Sequence, residues 1–324
     1  WIREMKANGK TQFYKFEEGQ KKYYNIETKN YQSIPGMESF MILDSFRSQS
    51  PIVKNSESIV HDIGDGVLCL EFTGKSNSIG EGVGKALIEV LEIAENENWK
   101  GLVIGNNAKQ FSVGANLMNI GMIAMQKQFD QLERFVDDFQ QINMRIRTSK
   151  IPVVVATQGY VFGGGCEIAM HCDAGIYASE SYIGLVEVGV GLLPGGGGTK
   201  EFALRASDDF FEGDVQSPTL INYFKSIATA AVSTSAYEAF DLNYLKKGRD
   251  EVCVNTQMNI GLAKEKVLKL SKNYTPPSAR ENIQVLGRSG MGVLYSAINE
   301  FRMGEYMSDY DVEIARKIAY VLCG

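Results

Sequence analysis

Three consecutive glycines connect a buried strand to a helix in the middle of this chain. The apolar run at 153–156 predicts a strand covered on both faces, and GGGCE (163–167) follows it at the start of a helical stretch. Because glycine has no Cβ, a ligand can approach the backbone N–H groups of such a turn, and a helix N-terminus favours negative charge there. The turn is therefore either a tight strand-to-helix connection or a site for a developing anion. The phosphate-loop pattern GxxxxGK followed by Ser or Thr is absent from it.

Strands and helices alternate on both sides of this turn. Runs 59–63 and 67–72 flank Gly64-Asp65-Gly66, a typical hairpin turn. Between Val83 and Ala94 the apolar residues recur at spacings of three and four, which predicts an amphipathic helix. This alternation favours a layered α/β architecture. We also expect a strand at 102–104 and helices at 118–148, 217–231, 234–240, 256–270 and 309–322.

The first 55 residues differ in composition from the rest of the chain. Runs 10–16 and 22–26 are aromatic-rich strand candidates on either side of Glu17-Glu18-Gly19-Gln20, which predicts a hairpin loop. The polar stretch 45–58 marks a boundary. We therefore expect a small β-rich appendage before a main domain that begins at residue 56. The chain begins with Trp and has no apolar signal-peptide core, so we interpret it as a piece of a longer polypeptide.

Composition excludes several classes of protein. With 324 residues, 44% of them hydrophobic, the chain can bury a large core and is not disordered. Its net charge of −6 offers no basic surface for nucleic acid. The cysteines form no CxxC pair and only two histidines are present, so neither a zinc site nor a disulfide framework is expected. Its apolar runs are shorter than the roughly 18–20 residues that span a bilayer, and we expect a soluble, reduced, cytoplasmic protein.

Two further segments add chemistry to the triple glycine. The turn FSVGANL (111–117) also follows a strand, and two converging N–H groups would form an oxyanion hole. In LVEVGVGLLP (185–194) a single carboxylate, Glu187, interrupts an apolar run. Burial would raise its pKa toward the range of a general acid, whereas a glutamate at a strand end would reach solvent. Together with Glu167, Glu187 would form a carboxylate pair facing a polarised carbonyl group.

Three other features have simpler structural interpretations. His171 is expected to be a packed core histidine rather than an acid or base. The segment GEGVG (80–84) imitates a dinucleotide-binding fingerprint but follows a loop, so it is interpreted as a helix start. Cys166 is expected to be a small packing residue, because no positive charge lies near it in sequence to lower its pKa.

Four motifs together resemble the crotonase family, the enoyl-CoA hydratases and isomerases. They are FSVGANL (111–117), GYVFGGGCEIAMHCD (159–173), LVEVGVGLLPGGGGTKE (185–201) and STSAYEAFDLNYL (233–245). The resemblance covers about residues 56–275 and is strongest to the crotonase half of bacterial bifunctional 3-hydroxyacyl-CoA dehydrogenase/enoyl-CoA hydratase proteins. It implies an α/β fold built as a spiral of strand-strand-helix units. Residues 1–55 would be the tail and linker of a preceding dehydrogenase portion, and residues 56–324 the hydratase domain.

The resemblance also assigns the reacting groups. Ala115 and Gly164 match the two backbone N–H donors of the family's oxyanion hole. Glu167 and Glu187 match the two catalytic carboxylates of the hydratases, and their separation of 20 residues is the one that the family shows. These four residues are the expected catalytic set, and no metal is expected.

Coenzyme A has an implied position as well. In the family, the backbone of the loop before the first helix lies along the adenine, and KSNSI (75–79) matches that loop. Asn116 stands where many members carry Asp. The residues assigned to coenzyme binding are Lys75, Ser76, Asn77, Asn116 and Leu117.

The activity that the resemblance implies is reversible hydration of trans-2-enoyl-CoA to 3-hydroxyacyl-CoA in fatty-acid β-oxidation. Glu167 would activate water for attack at C3, and Glu187 would deliver a proton to C2. Alternatives are a Δ3,Δ2-enoyl-CoA isomerase, which needs one carboxylate, a non-catalytic assembly module of the dehydrogenase, and a nicotinamide-binding role, for which the fingerprint is poor. Coenzyme A arrives with the acyl-CoA substrate, and no permanently bound cofactor is expected.

Two C-terminal features bear on assembly. The loop 207–216 looks inserted and could reshape the pocket or the oligomer. A stripe at helical spacing, formed by Ile314, Ile318, Ala319 and Leu322, either packs on its own domain or meets a neighbouring copy. Family members that this chain resembles form trimers, so we expect a homo-oligomer, with a trimer favoured over a dimer. The resemblance also predicts further helical sequence beyond Gly324 to cover the acyl pocket.

Overall fold

Ten strands and eleven α-helices are formed by the described residues, which are 1–17, 19–37, 40–47 and 49–324 of this computed structural model. Glu18, in the predicted hairpin loop, lies outside them. The strands are β1 (Tyr14–Glu17), β2 (Gln20–Asn25), β3 (Asn30–Ser33), β4 (Val53–Lys54), β5 (Ser58–Asp62), β6 (Val67–Phe72), β7 (Gly101–Gly105), β8 (Val153–Phe162), β9 (Ala174–Gly184) and β10 (Glu251–Cys253). The helices are α1 (Ile2–Ala7), α2 (Glu81–Asn96), α3 (Leu117–Met125), α4 (Phe129–Arg147), α5 (Gly164–His171), α6 (Gly198–Asp208), α7 (Ser217–Ala228), α8 (Glu238–Asp241), α9 (Asn259–Leu270), α10 (Gly287–Met303) and α11 (Asp309–Cys323).

The main sheet has seven strands in the order β10-β9-β8-β7-β6-β5-β4. Strands β6 to β10 run parallel, with helices in the connections, whereas β4, β5 and β6 pair antiparallel. The hairpin predicted around Gly64-Asp65-Gly66 is confirmed, with Val60 opposite Leu70. The layered α/β prediction is therefore correct.

Alternation along the central strands separates two hydrophobic layers. In β6, Leu68 and Leu70 pack in the larger core together with α2, α5, α6, α7, α10 and α11. Val67 and Cys69 face the other side, where residues of α9 cover them. Because both faces are covered, all six residues of β6 are buried.

The β-rich appendage is also confirmed. Strands β1, β2 and β3 form a separate antiparallel sheet, although the first strand begins at Tyr14 rather than at residue 10. The chain then joins the main body through Leu43 and Phe46, which pack in the α9 layer. The Leu43 N–H donates to Asn107 Oδ1 at 2.7 Å. The sequence did not predict α1 or β3, whose segments are short and polar.

Strand β8 brings three loops to one end of the sheet. It continues six residues beyond the predicted apolar run and ends at Phe162, directly before the triple glycine. Ser112 forms a parallel bridge with Val161, and Ile79 forms one with Ala115. These bridges place the loops before α2, before α3 and before α5 side by side.

Other differences from the sequence predictions lie in the C-terminal half. The helix expected at 234–240 is limited to the four residues of α8. Strand β9 and helix α10 were not predicted, because glycine and polar residues interrupt their apolar patterns. Of the loop expected at 207–216, residues 209–216 connect α6 and α7, whereas residues 207 and 208 belong to α6.

The C-terminal stripe packs within its own chain. Ile314, Ile318, Ala319 and Leu322 are at most 5% exposed, and α11 lies against α6, α7 and α10. The stripe therefore gives no support to an oligomer, which stays a prediction. Among the described residues, no helix combines the length and the apolar character needed to cross a lipid bilayer.

Candidate active site

Two backbone N–H groups meet where the loops before α3 and α5 touch. Gly114 has φ +90°, and a Cβ added there would lie 2.9 Å from the Phe162 carbonyl oxygen and 3.3 Å from the Gly164 nitrogen. This close approach requires glycine and brings Ala115 next to Gly164. Among the described residues, no protein acceptor is bonded to either the Ala115 or the Gly164 N–H. Both residues line one cavity of about 410 Å³.

Glu167 lies on the first turn of α5 and is only 2% exposed. Its Oε1 accepts a hydrogen bond of 2.8 Å from the Gly198 N–H, at the start of α6. Burial raises the pKa of Glu167 to about 7, although the N–H groups of Gly198 and Gly196 and the charge of Lys200 oppose the shift. A carboxyl group in this range can both accept and release a proton near neutral pH.

Glu187 approaches the same cavity from the turn that follows β9. Its Oε1 lies 3.2 Å from the point that a Cβ on Gly163 would occupy. Its Oε2 is buried, and no described residue forms a hydrogen bond with it. Burial, and then the nearby charge of Glu167, raise the pKa of Glu187 well above its usual value. Burial therefore disfavours ionisation of both carboxyl groups, and the charge of Glu167 disfavours ionisation of Glu187 further.

The rest of the cavity wall is mainly apolar. It is supplied by α3, α4, the turn after Glu187 and α11, and includes Leu117, Ile120, Leu132, Phe135, Val136, Phe139, Leu192, Leu193 and Ile314. The first turn of α11 is attached to this wall, because the Tyr310 hydroxyl donates to the Gly191 carbonyl oxygen at 3.1 Å. The arrangement can hold an apolar chain beside two carboxyl groups whose pKa values are both raised.

The residues assigned to coenzyme binding lie at the rim of the site. Lys75 and Ser76 are exposed, and Leu117 is 48% exposed. The Asn77 side chain points inward and donates to the Gln110 carbonyl oxygen at 3.0 Å. Asn116 caps α3 by accepting from the Met118 N–H at 3.2 Å. The two asparagine side chains thus have structural partners, and an amide oxygen suffices for the cap, so Asp is not needed at position 116.

The three simpler interpretations agree with the structure. His171 is 1% exposed. Cys166 is buried, and burial raises its pKa well above the usual thiol value. Gly80 is the N-cap residue of α2, so segment 80–84 begins a helix. In the part of the chain that the structure describes, no group of three or more His, Cys, Asp or Glu side chains could hold a metal ion.

Sequence reasoning missed the residues that surround Glu167. A Cβ added to Gly196 would lie 2.5 Å from Glu167 Oε2 and 2.4 Å from the Phe139 ring. The run GGGG (195–198) was quoted only as part of a motif, yet its position before a helix was a signal for backbone donors. The contribution of Phe139 and Tyr310 had no local signal, because each reaches the cavity from a distant helix.

Residues 62–209 match the sequence model of the enoyl-CoA hydratase/isomerase family. Residues 62–209 therefore belong to this family, as the motifs in this part of the chain predicted. A solved structure of an enoyl-CoA hydratase from Bacillus anthracis has a TM-score of 0.55 at 21% identity, and the match covers 82% of this chain and 90% of that chain. This similarity confirms the crotonase-type α/β fold.

Two curated relatives extend the comparison. A Bacillus subtilis (strain 168) protein named "probable 3-hydroxyacyl-CoA dehydrogenase" is 37% identical over 325 residues, which are 100% of this chain and 40% of that protein. The 2,3-dehydroadipyl-CoA hydratase of Escherichia coli (strain K12) is 29% identical over 135 residues, or 41% of this chain and 51% of the relative. The chain thus spans about two fifths of the first relative's length, and its match covers about half of the second relative's length.

Proposed function

We propose that this chain catalyses the reversible hydration of a trans-2-enoyl-CoA to a 3-hydroxyacyl-CoA. The observation that carries the proposal is one cavity lined by two unpaired backbone N–H groups and by the carboxyl groups of buried Glu167 and half-buried Glu187. The family match and the hydratase named among the relatives support the same chemistry.

In the proposed mechanism, the thioester oxygen accepts hydrogen bonds from the N–H groups of Ala115 and Gly164. These donors stabilise the enolate-like charge that develops when water adds to C3. Ionised Glu167 takes a proton from the attacking water, and protonated Glu187 gives a proton to C2. The role of Glu187 as the acid is supported by its environment, because burial and the nearby charge of Glu167 raise its pKa.

A Δ3,Δ2-isomerase would use the same N–H donors but one carboxyl group to move a proton. The second buried carboxyl group, Glu187, favours hydration over this alternative. A non-catalytic assembly role gives no reason for two carboxyl groups buried in one cavity, since burying them is costly.

The test is an assay of the purified chain with crotonyl-CoA, trans-2-decenoyl-CoA and cis-3-decenoyl-CoA. Hydration removes the absorbance of the conjugated thioester, whereas isomerisation of the cis-3 substrate creates it. We expect loss of absorbance with at least one trans-2 substrate. Appearance of the conjugated product without hydration would favour the isomerase, and no turnover of any substrate would favour the assembly role.

The remaining assignments extend the proposal. Lys75, Ser76, Asn77, Asn116 and Leu117 would contact coenzyme A, the first three along the backbone of their loop. Residues 1–55 would be the tail and linker of a preceding dehydrogenase portion. The name of the 37% identical relative, which is a probable 3-hydroxyacyl-CoA dehydrogenase, supports this proposal. A homo-oligomer, a trimer more than a dimer, and a cytoplasmic location are further proposals.

A further inference from the structure

A chain of four charged or titratable side chains lies behind Glu167, on the side away from the cavity that holds Glu187. The Lys200 ammonium group donates to His171 Nε2 at 3.0 Å and lies 3.1 Å from Glu201 Oε1. Glu201 in turn pairs with Arg147 at 2.7 Å. His171 Nδ1 is 2.7 Å from the Glu167 carbonyl oxygen. This network links α4, α5 and α6 at the catalytic carboxylate.

The partners of His171 fix its charge and its tautomer. Since an ammonium group can only donate, His171 Nε2 must be the accepting nitrogen. The single ring proton then lies on Nδ1 and donates to the Glu167 carbonyl oxygen. Burial lowers the pKa of His171 to about 3, so the ring stays neutral throughout the range in which the enzyme would work.

His171 and Lys200 of this network also pack close to the glycine turn that binds Glu167. A Cβ on Gly197 would lie 3.0 Å from His171 Cε1 and 3.6 Å from Lys200 Cε. Gly198, the next residue, donates to Glu167 Oε1. Lys200 and His171 therefore contact both the helix that carries Glu167 and the turn that supplies its hydrogen bond.

We propose that Lys200 is a positioning residue of the hydration reaction, which holds neutral His171 against α5 and favours the ionised form of Glu167. The inference rests on the proposed function. Lys200 lies outside the cavity that contains the two carboxyl groups. Its charge would help buried Glu167 to act as a base without a direct ion pair.

The other charged groups around this cluster do not replace Lys200. Glu201 is ionised beside the cations Arg147 and Lys200, and its pKa is lowered to about 2 although burial opposes this. Arg147 on α4 is bound to Glu201 and to the Met170 carbonyl oxygen, and Arg249 binds the same carbonyl oxygen at 3.0 Å. Glu187, from the turn after β9, adds no cation. On α11, Glu313 and Lys317 also line the cavity with Glu167 and carry one charge of each sign. The charge of Lys200 lowers the pKa of Glu167 and so opposes the effect of burial.

The experiment measures kcat/KM against pH for wild type, Lys200→Met, Lys200→Arg and the control Lys225→Met, an exposed lysine on α7. Ionised Glu167 is the base, so activity falls as pH drops below the pKa of Glu167. Removing a cation makes the carboxylate less stable and moves this fall to higher pH. We expect a shift of about 0.5–1 unit in Lys200→Met, hence roughly 3–10-fold lower kcat/KM at pH 6 with a plateau above pH 8 near the wild-type value.

Lys200→Arg should restore most of the wild-type profile, and Lys225→Met should match wild type. A folded Lys200→Met protein with an unshifted profile would overturn the proposal. So would a loss that is equal at all pH values, because that result indicates a structural role only. If wild type hydrates no enoyl-CoA, the proposed function fails instead, and the two failures are distinct. Circular dichroism and thermal unfolding establish that each variant is folded.

Discussion

The helices next to the two proposed oxyanion donors, Ala115 and Gly164, differ completely in burial. All eight residues of α5, which begins at Gly164, are buried. None of the nine residues of α3, all of them described, is buried, although its sequence LMNIGMIAM is mainly apolar. Met118 and Met125 are 77% and 87% exposed. One donor of the same site is thus embedded in the core, and the other begins a surface helix.

The difference shows that the two donors are held in different ways. Gly164 is fixed by a helix between the sheet and α4 and α6. Ala115 is fixed by a short strand-like bridge, in which the Ile79 N–H donates to Gly114 at 2.8 Å and the Asn116 N–H donates to Ile79 at 3.1 Å. Elements with few buried contacts open first. We therefore expect the Ala115 side of the site to be the adjustable one.

The largest effect is expected from Gly164→Val, on the buried side. An added Cβ would lie 3.1 Å from Phe139 Cζ and 3.3 Å from Ile79 Cδ1, so a β-branched side chain crowds these residues and the space beside the N–H group. Losing one oxyanion donor alone costs roughly 3–4 kcal/mol of transition-state stabilisation, and crowding of the bound thioester adds to this loss. We expect turnover to fall below detection while circular dichroism retains the folded spectrum. Normal activity of a folded variant would place the oxyanion hole elsewhere.

The carboxyl groups should give the next largest effect. Glu167→Gln and Glu187→Gln are each expected to lower kcat by about 10²–10⁴, the usual range for general acids and bases. Coenzyme A affinity, measured by calorimetry, should change little because both variants keep the backbone donors. Near-normal hydration by both variants would contradict the assignment of the carboxylate pair.

The sequence predicted the buried region around Gly164 and α5 better than the exposed region around Ala115 and α3. A continuous apolar strand followed by GGG is a local signal, and it placed Gly164 and Glu167 correctly next to each other at the start of α5. For α3 the sequence predicted a helix, but as part of one helix over 118–148, which the structure divides into α3 and α4. Its apolar sequence gave no sign that α3 would be exposed. The spacing of apolar residues indicates which face of a helix can be buried. How much of that face is buried depends on distant elements such as α4 and α11.

The long-range parts of the site had no local signal either. Gly198 is separated by 31 residues from Glu167, to which it donates, and Tyr310 by 119 residues from its acceptor Gly191. Motif spacing carried over from a family can indicate such pairs, but hydrophobic pattern cannot. For the same reason, the apolar stripe on α11 could not show whether it packs within the chain or against another copy. Its contacts with α6, α7 and α10 in the structure show that it packs within the chain.

A smaller effect concerns stability rather than rate. Burial raises the pKa of Glu167 from 4.5 to about 7. The folded state therefore holds a proton more tightly than the unfolded state, and stability falls as pH rises between these two values. Glu167→Gln removes this cost, of at most about 3 kcal/mol, so we expect its Tm to exceed that of wild type by a few degrees at pH 8 and to match it near pH 4. Equal differences at both pH values would show that Glu167 is not the group responsible.

The smallest effect is expected from the exposed face of α3. Met118→Gln and Met125→Gln remove apolar side chains that the described chain leaves in water, and surface changes of this kind usually alter stability by less than about 0.5 kcal/mol. We expect kcat/KM within about twofold of wild type, and amide hydrogen exchange that remains faster in α3 than in α5. Light scattering across a dilution series accompanies these measurements. If a second copy covered α3 in solution, both variants would lower the mass measured by light scattering. The amides of α3 in wild type would then exchange as slowly as those of α5, and the contrast between the two donors would disappear.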